Sequence, residues 1–376
     1  MVDGYIRLKS GIITVGKPLL FNVYDAQGTL LLQQGYVISS REQLDRLYER
    51  GLFHASHAQT VAKKTENAPV VVDEKKLNPF LELPVLLEEL ELLLSHIVSQ
   101  HEDAERRLKA LATRLIRLGR DDPDACLAVV HLNTIEPSSY EQTLYHALLA
   151  FMVATHLNWS AEDIQTLLMA SLTANIALLP FQDKLNRSRN PLTEVQRAVL
   201  RKHPDLSAAA LEKAGCLNPV LLQAVRQHHE HPKGTGYPLG LKGNQISLHA
   251  QILGMTERYT AMVSQRAYRP RMSVGEAQRE LSHHASDPQL FVALYGQLTP
   301  FPPGTFVELA NGETAVVTQR GKLPQNPRVR AIINAKGVMY HGSFTRDTAD
   351  PELAVKGFKT LSMPPSLNPV LIWGSG

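Results

Sequence analysis

The chain has 376 residues, of which 44% are hydrophobic and 20% are charged. This length and composition suit about two or three globular domains with real cores, and they exclude a disordered or fibrous protein. The formal charge is only +3 and the basic residues are scattered among acidic ones, which excludes a dedicated nucleic-acid-binding protein but not a small anionic ligand.

Cysteine usage and hydropathy indicate the compartment. Cys126 and Cys216 have no CxxC spacing, and the N-terminus lacks a basic region followed by an apolar core. The leucine-rich run 81–98 is interrupted by four glutamates, so it falls short of the ~20 apolar residues that a membrane span needs. We therefore expect a protein of the reducing cytoplasm without a membrane span.

The first sixty residues predict a small α+β domain. Apolar runs at 12–15, 19–24 and 29–32 alternate with turn signals and are typical of short strands. Segment 40–51 begins with a serine suited to an N-cap and ends on glycine, which predicts a helix covering the sheet. We place this domain at residues 1–60 and assign the polar, aperiodic stretch 61–79 to a linker.

The next segment, residues 80–135, predicts a helical connector. Leucines recur at spacings of three and four between Leu86 and Leu94, and again between Leu108 and Leu118. Apolar stripes of this kind usually mark packing, so we expect a helix pair that builds core or a homodimer contact, and we assign these residues no chemistry.

The C-terminal part changes to a β pattern. Two β-prone runs, 302–309 and 313–318, flank Asn311-Gly312, and Asn-Gly between such runs is a strong hairpin signal. A further strand at 329–333 is expected to join the hairpin. Residues 301–376 are therefore assigned to a β-rich extension.

Histidines supply the first chemical signal. His146, His203 and the adjacent pair His228-His229 are metal-ligand candidates, because neutral imidazole is the commonest metal-binding side chain. Neighbours on a helix project about 100° apart, so the pair cannot easily chelate one ion unless the backbone bends there. Without a bend, the pair suits two ions, or one ligand beside a supporting group.

Ordered motifs around these histidines carry a resemblance to a known family. They are His228-His229-Glu230, Gly234-Thr235-Gly236-Tyr237-Pro238 and Arg266-Ala267-Tyr268-Arg269, preceded by Lys202-His203-Pro204 and by His146 in the place of the first family histidine. This series resembles the HD-GYP family, which comprises metal-dependent phosphodiesterases of the HD superfamily that hydrolyse the bacterial second messenger cyclic di-GMP.

The resemblance covers about residues 136–300, which we assign to a degenerate HD-GYP domain. It implies a mainly α fold, namely a helical HD-superfamily bundle with the small N-terminal α+β domain and the C-terminal β segment attached to it. By resemblance, the site of this domain binds divalent metals and cyclic di-GMP.

The departures from the family pattern lie at its eponymous motif. The family's His-Asp-Ile-Gly-Lys aligns with Leu172-Thr173-Ala174-Asn175-Ile176. By resemblance, the aspartate bridges the metals and the lysine holds or protonates the phosphate, so Leu172, Thr173 and Ile176 remove these functions. The later metal aspartate is matched by Glu257. We therefore assign no catalytic residue.

These departures reduce the negative charge that is available to hold metal ions. Two ions about 3.5 to 4 Å apart need bridging negative charge, and Thr173 cannot supply it. The residual candidates for one ion are His203, His228, His229 and Glu257, with His146 beside them. The sequence leaves two interpretations open: a single divalent ion, with iron, manganese or zinc as candidates, or a metal-free core that retains the histidines.

The loop after the paired histidines is a separate candidate for ligand binding. Its glycines permit close backbone approach, its tyrosine offers a ring and a hydroxyl, and arginines supply planar donors for phosphate. The ligand-binding candidates are Gly234, Gly236, Tyr237, Pro238, Arg266 and Arg269. By resemblance, this region contacts cyclic di-GMP and docks other signalling domains; the plainer alternative is a helix-helix connection.

Three functional hypotheses follow. The main one is a catalytically inactive receptor or adaptor in cyclic di-GMP signalling. The alternative is a metal-dependent cyclic di-GMP phosphodiesterase with an altered, mononuclear site that recruits Glu257 and acids such as Asp205 or Glu230. The third, consistent with Ile176, is an adaptor that no longer binds nucleotide.

Overall fold

The computed structural model describes residues 5–7, 22–24, 29–33, 36, 38, 53–55, 76–132, 137–267, 269–284, 287–361 and 367–373. The chain divides into two compact units, Met1–Lys75 and Lys76–Gly376. The finer domain boundaries of the sequence analysis stay predictions.

The first unit contains a four-stranded antiparallel sheet of order β1-β4-β2-β3. Its strands are β1 (Tyr5–Arg7), β2 (Val23–Tyr24), β3 (Leu30–Leu32) and β4 (Phe53–Ala55). The strand expected at 29–32 is confirmed by β3, and β2 falls within the expected strand 19–24. The expected strand 12–15 and helix 40–51 lie outside the described residues, as do residues 61–75 of the expected linker.

The second unit is mainly helical, which confirms the predicted fold class. Its described helices are α1 (Pro79–Val98), α2 (Ala104–Asp121), α3 (Pro123–Leu132), α4 (Ser139–His156), α5 (Ala161–Thr173), α6 (Leu179–Arg187), α7 (Glu194–Lys213), α8 (Pro219–Gln227), α9 (Leu248–Val263), α10 (Val274–His284), α11 (Pro288–Leu298) and α12 (Pro369–Trp373). The leucine stripes of α1 and α2 are buried, as their periodicity predicted.

Side-chain caps fix where the helices of the site begin. Ser138 accepts from the Glu141 amide while the Glu141 carboxylate accepts from the Ser138 amide, which forms a capping box at the start of α4. Thr193 and Gln196 form the same box at the start of α7. These caps place His146 two turns into α4 and His203 in the middle of α7.

Helix α4 is the centre of the core. Nearly every residue from Thr143 to Ala154 on it is buried, and it packs against α5, α9 and α11. A helix that is apolar all round belongs inside a bundle, where neighbours cover every face. His146 is therefore buried because it lies on this central helix.

The C-terminal segment forms a five-stranded antiparallel sheet of order β8-β7-β6-β5-β9. Its strands are β5 (Phe306–Leu309), β6 (Thr314–Gln319), β7 (Arg328–Ile333), β8 (Met339–Asp347) and β9 (Val355–Phe358). The expected hairpin is confirmed by β5 and β6, with Gly312 at a φ of 84° in their turn. The strand expected at 329–333 is confirmed as β7, whereas β8 and β9 were not anticipated.

The sheet packs on the helices through a small apolar contact. Val316 and Ile332 of the sheet meet Ala125 and Ala128 of α3, together with Trp373 of α12. Gly304 allows this approach, because a Cβ at that position would lie 2.7 Å from the Ala128 backbone. Among the described helices, none is both long enough and apolar enough to cross a membrane.

Candidate metal centre

The adjacent histidines lie where a helix ends. Helix α8 stops at Gln227, and His228 is its C-terminal cap residue. The Nε2 atoms of His228 and His229 then lie 3.8 and 4.0 Å from the same Glu257 carboxylate oxygen. His228 keeps helical dihedral angles (φ -64°, ψ -16°), and the two neighbouring rings nevertheless approach one carboxylate oxygen.

His203 approaches this pair from α7. Its Nε2 lies 3.2 Å from the Nε2 of His228. The Nδ1 atom of His203 is 2.6 Å from the Leu200 carbonyl, and that of His228 is 2.7 Å from the Val225 carbonyl. A carbonyl can only accept, so each Nδ1 carries the proton, and in the neutral rings the two facing Nε2 atoms are both acceptors. A cation between them would relieve this opposition.

These separations fit one metal ion. The ligand atoms of His203, His228 and His229 lie within 4.8 Å of one another, so the three histidines could hold a metal. Zinc bonds to nitrogen and oxygen are about 2.0 to 2.2 Å, which places two ligands of a tetrahedral ion roughly 3.4 Å apart. The distances of 3.2, 3.8 and 4.0 Å among the histidines and Glu257 bracket that value.

Glu257 presents one oxygen to the histidines. Its Oε1 accepts a 2.7 Å hydrogen bond from Asn175 Nδ2, while Oε2 is buried and has no hydrogen-bond partner among the described residues. Burial opposes ionisation, but His229, His228 and His146 together with the Asn175 amide hold the pKa of Glu257 below its usual range. The group is therefore a carboxylate, and its orphaned oxygen is a ready metal ligand.

The histidine rings are suited to binding metal at neutral pH. Desolvation lowers the pKa of His203 to about 4, and it also lowers the pKa of His229. A metal ligand must offer an unprotonated nitrogen, so rings that stay neutral need not lose a proton first. The imidazoles of His203, His228 and His229 and the Glu257 carboxylate form the candidate donor set.

His146 lies beside this group without joining it. It is buried, and its Nε2 donates to the Ser171 carbonyl at 2.9 Å. Its Nδ1 is buried without a hydrogen-bond partner in the described structure, and burial lowers the pKa of the ring. Its role as a ligand stays a prediction.

The residues at the family's eponymous motif are turned into the core. Leu172 and Ile176 are 1% and 4% exposed, and Thr173 is fully buried. The Thr173 hydroxyl donates to the Met169 carbonyl at 2.7 Å, one turn back on its own helix. These side chains contribute packing at the place where the pattern has charged and metal-binding groups.

A glutamate of the loop between α8 and α9 stabilises that loop by accepting hydrogen bonds from its backbone. Glu230 accepts hydrogen bonds of 2.6, 3.1 and 2.9 Å from the amides of Leu239, Gly240 and Leu241, so it serves the loop and not the histidines. Gly236 is required, since a Cβ there would lie 2.3 Å from the His231 amide nitrogen. Asp205, the other acid considered, is exposed on α7.

Tyr237 joins the loop to the histidines. Its ring stacks on His229, with centroids 4.7 Å apart and planes 28° from parallel. Gly234 adopts a φ of 76°, and Pro238 is half-buried. The loop thus covers one side of the candidate metal centre.

The two arginines expected to bind phosphate make internal contacts. Arg266 donates to Asn186 Oδ1 at 2.7 Å and to Gln142 Oε1 at 3.0 Å. Arg269 donates to the Ala261 carbonyl at 2.6 Å. Both side chains tether the segment after α9, and their binding of a ligand stays a prediction.

Sequence reasoning missed two residues that shape the centre. Asn175 was noted only as part of the altered motif, and no local pattern indicates its contact with Glu257. Gly254 lets α9 pack directly on the end of α8, because a Cβ there would lie 2.2 Å from the His228 carbonyl oxygen. An isolated glycine within an apolar helix is a signal of close packing that could have found it.

Comparisons with known proteins agree on one family. The HD domain family matches residues 96–290, just over half of the chain. An HDG"Y"P protein from Bdellovibrio bacteriovorus superposes with a TM-score of 0.51 at 16% identity, covering 78% of this chain and 99% of that protein. At this identity the match demonstrates a shared fold.

Curated relatives match the sequence more closely over shorter stretches. A cyclic di-GMP phosphodiesterase from Pseudomonas aeruginosa is 29% identical over 217 residues, which is 57% of this chain and 52% of that protein. The 3'3'-cGAMP-specific phosphodiesterase 3 of Vibrio cholerae is 28% identical over 209 residues, 53% of this chain and 45% of that protein. The chain thus spans about half the length of these relatives.

Proposed function

This chain belongs to the HD domain family, and we propose that it is a cyclic di-GMP signalling protein of the HD-GYP type. In this proposal His203, His228, His229 and Glu257 hold one divalent ion. The protein binds the nucleotide without hydrolysing it and acts as a receptor or adaptor.

The observation that carries the proposal is the charge of the site. Within the described part of the chain, Glu257 is the acidic residue whose carboxylate lies within 4.0 Å of His228 and His229. With three neutral imidazoles, one carboxylate leaves a net charge of about +1 around one divalent ion but about +3 around two. Two ions at the separation used for hydrolysis, about 3.5 to 4 Å, would repel each other without a bridging anion.

Support for non-hydrolytic binding comes from the altered motif. Thr173 donates its hydroxyl to its own helix, and Ile176 puts a buried aliphatic side chain where the family pattern has lysine. Neither of these two side chains can bridge two ions or stabilise charge on a leaving phosphate. When bound, one ion would supply a positive centre for a phosphate oxygen, and Tyr237 would supply a ring on the loop beside it.

The choice of nucleotide rests on the relatives. Several carry the name cyclic di-GMP phosphodiesterase, and others are named for 3'3'-cGAMP, so a 3',5'-linked cyclic purine dinucleotide is the shared ligand class. The donor set of imidazoles and carboxylate suits zinc or iron, with manganese as a further candidate.

A second candidate function is hydrolysis at a mononuclear site. The names of the relatives favour it, and one ion can lower the pKa of a bound water enough to generate a nucleophile. Such a site would have to work without Glu230, whose two oxygens are committed to three loop amides.

The experiment incubates the purified full chain with cyclic di-GMP and manganese, iron or zinc. It follows nucleotide binding by calorimetry, nucleotide loss by chromatography and metal content by elemental analysis. We expect saturable binding, intact nucleotide and one ion per chain. His228→Ala should lower the metal content to below half, while the exposed His156→Ala serves as the matched control.

Two outcomes would contradict the proposal. Hydrolysis that requires His228 would establish the phosphodiesterase alternative. A protein that binds metal but no cyclic dinucleotide would leave an adaptor that recognises a protein partner, which is the third hypothesis.

A further inference from the structure

Asn175 contacts the candidate metal centre from a different part of the fold than the helices that carry the histidines. It lies half-buried in the turn between α5 and α6, and its Nδ2 donates to Glu257 Oε1 on α9 at 2.7 Å. The family pattern places glycine at the aligned position, so the amide is a feature of this chain. The contact joins two segments that are 82 residues apart in sequence.

The hydrogen bond decides how Glu257 faces the histidines. The terminal torsion of a glutamate is broad and roughly two-fold, so a free carboxylate can exchange its oxygens. Here Oε1 is taken by Asn175, and Oε2 is left buried without a hydrogen-bond partner among the described residues. That oxygen lies 3.8 and 4.0 Å from the Nε2 atoms of His228 and His229.

A carboxylate held in this way turns one chosen oxygen toward a metal. A bridge that places one ion on each oxygen uses both oxygens, and so does bidentate binding to one ion. With Oε1 oriented by the amide, Oε2 is the oxygen that faces the histidines. Hydrogen bonds to ligating carboxylates commonly change metal affinity by about 10- to 100-fold when they are removed.

We propose that Asn175 is a positioning residue that fixes Glu257 as a one-oxygen ligand and so completes a three-histidine, one-carboxylate site for a single divalent ion. This inference rests on the proposed function, since it concerns the same site. It explains how the chain keeps an ordered metal ligand although Thr173 has replaced the bridging carboxylate.

The test uses two substitutions that remove the amide in different ways. Asn175→Gly restores the family residue, and Asn175→Leu removes the donor while keeping a similar side-chain volume. Affinity for zinc is measured by chelator competition on the full chain, and the coordination sphere is followed by the visible absorption of bound cobalt(II). Asn190→Gly, at an exposed asparagine, controls for the introduction of glycine.

We expect both Asn175 variants to bind zinc about 10-fold more weakly than wild type and to change the cobalt spectrum, with Asn190→Gly unchanged. A merely structural role would lower the melting temperature of the metal-free protein and leave the cobalt spectrum alone. Wild-type affinity and spectrum in both variants would overturn this inference while leaving the proposed function standing. A wild-type chain that binds no stoichiometric metal would overturn the single-ion site and this inference with it.

Discussion

One carboxylate sets the character of the candidate metal centre. Among the described residues, Glu257 is the acid whose carboxylate lies within 4.0 Å of His228 and His229, and a single negative charge would suit one divalent ion better than two. Thr173 is shorter than an aspartate and donates its hydroxyl to the Met169 carbonyl of its own helix, so its own polar group is paired. The replacement therefore costs the fold little while it changes the chemistry that the site can perform.

Another buried histidine, His131, links the helices to the start of the C-terminal sheet. The Nδ1–H of His131 is shared between the carbonyls of Leu127 at 2.8 Å and Pro303 at 3.0 Å. Its Nε2 must then accept, from the hydroxyl of Tyr259 at 2.8 Å. Tyr259 follows Glu257 by two residues on α9, so this contact ties the helix of the metal centre to two other segments.

Burial makes His131 a source of acid sensitivity. Desolvation lowers the pKa of His131 to about 4, against about 6.5 in the unfolded chain. The unfolded state then binds more protons between these values, so the contribution of His131 to stability is complete above pH 6.5 and is lost as the pH falls toward 4. We expect acidification across this window to cost about 3 kcal/mol through this residue.

The measurement is urea unfolding at several pH values. His131→Leu should be less stable than wild type at pH 7, by about 1 to 3 kcal/mol, because it leaves the Tyr259 hydroxyl unpaired. Its stability should fall less steeply between pH 6.5 and 4. Exposed His341→Leu is the control for loss of a histidine, and parallel slopes for wild type and His131→Leu would contradict the prediction.

At the scale of elements, the loop between α8 and α9 owes its shape to two buried polar side chains. Glu230 accepts from three consecutive loop amides, and Gln227 accepts from the Ser247 amide at 2.8 Å, where α9 begins. Hydrogen bonds from several amides to one carboxylate are charge-assisted and therefore stronger than bonds between neutral groups. The loop is thereby fixed beside His229.

We predict that Glu230→Gln loosens this loop. The glutamine offers one oxygen where the glutamate offers two, so its NH₂ group must face an amide donor. Unfolding free energy should fall by about 1 to 3 kcal/mol, and the amides of Leu239, Gly240 and Leu241 should exchange hydrogen faster. The matched control is Glu194→Gln, whose carboxylate is exposed. Unchanged hydrogen exchange at the three amides would show that their hydrogen bonds to the Glu230 carboxylate are not needed to hold the loop.

At the scale of the whole molecule, the candidate centre belongs to the fold of the second unit. Its side chains come from α7, the end of α8, α9 and the turn after α5, which are distant in sequence. Such a site exists only when these elements are packed, so binding of a metal there would be thermodynamically linked to the folding of this unit.

Both tryptophans of the chain, Trp159 and Trp373, lie in the second unit, so tryptophan fluorescence reports its unfolding selectively. Zinc at about 100 times its dissociation constant should add about 2.7 kcal/mol and raise the melting temperature by roughly 5 °C. His228→Ala should abolish this rise. An equal rise in that variant would place the ion elsewhere.

Hydrophobic periodicity and turn residues in the sequence predicted much of the fold. Spacing of leucines predicted α1 and α2, and Asn311-Gly312 predicted the β5–β6 turn, because periodicity and turn chemistry depend on neighbouring residues. The strands β8 and β9 were missed, since β8 is largely exposed and lacks an alternating apolar pattern. Pairing with β7 and β5 holds them in the sheet, and these partners are remote in sequence.

For the candidate site, the sequence alone shows which donor groups are available: histidines at 203, 228 and 229, an acid at 257 and no acid at 173. The folded structure was needed to show that the adjacent rings meet at the end of α8, that Glu230 accepts from the loop amides, and that Asn175 donates to one oxygen of Glu257. Composition and motif spacing record which groups are present. Their convergence depends on side-chain directions and on contacts between distant helices, which no local pattern encodes.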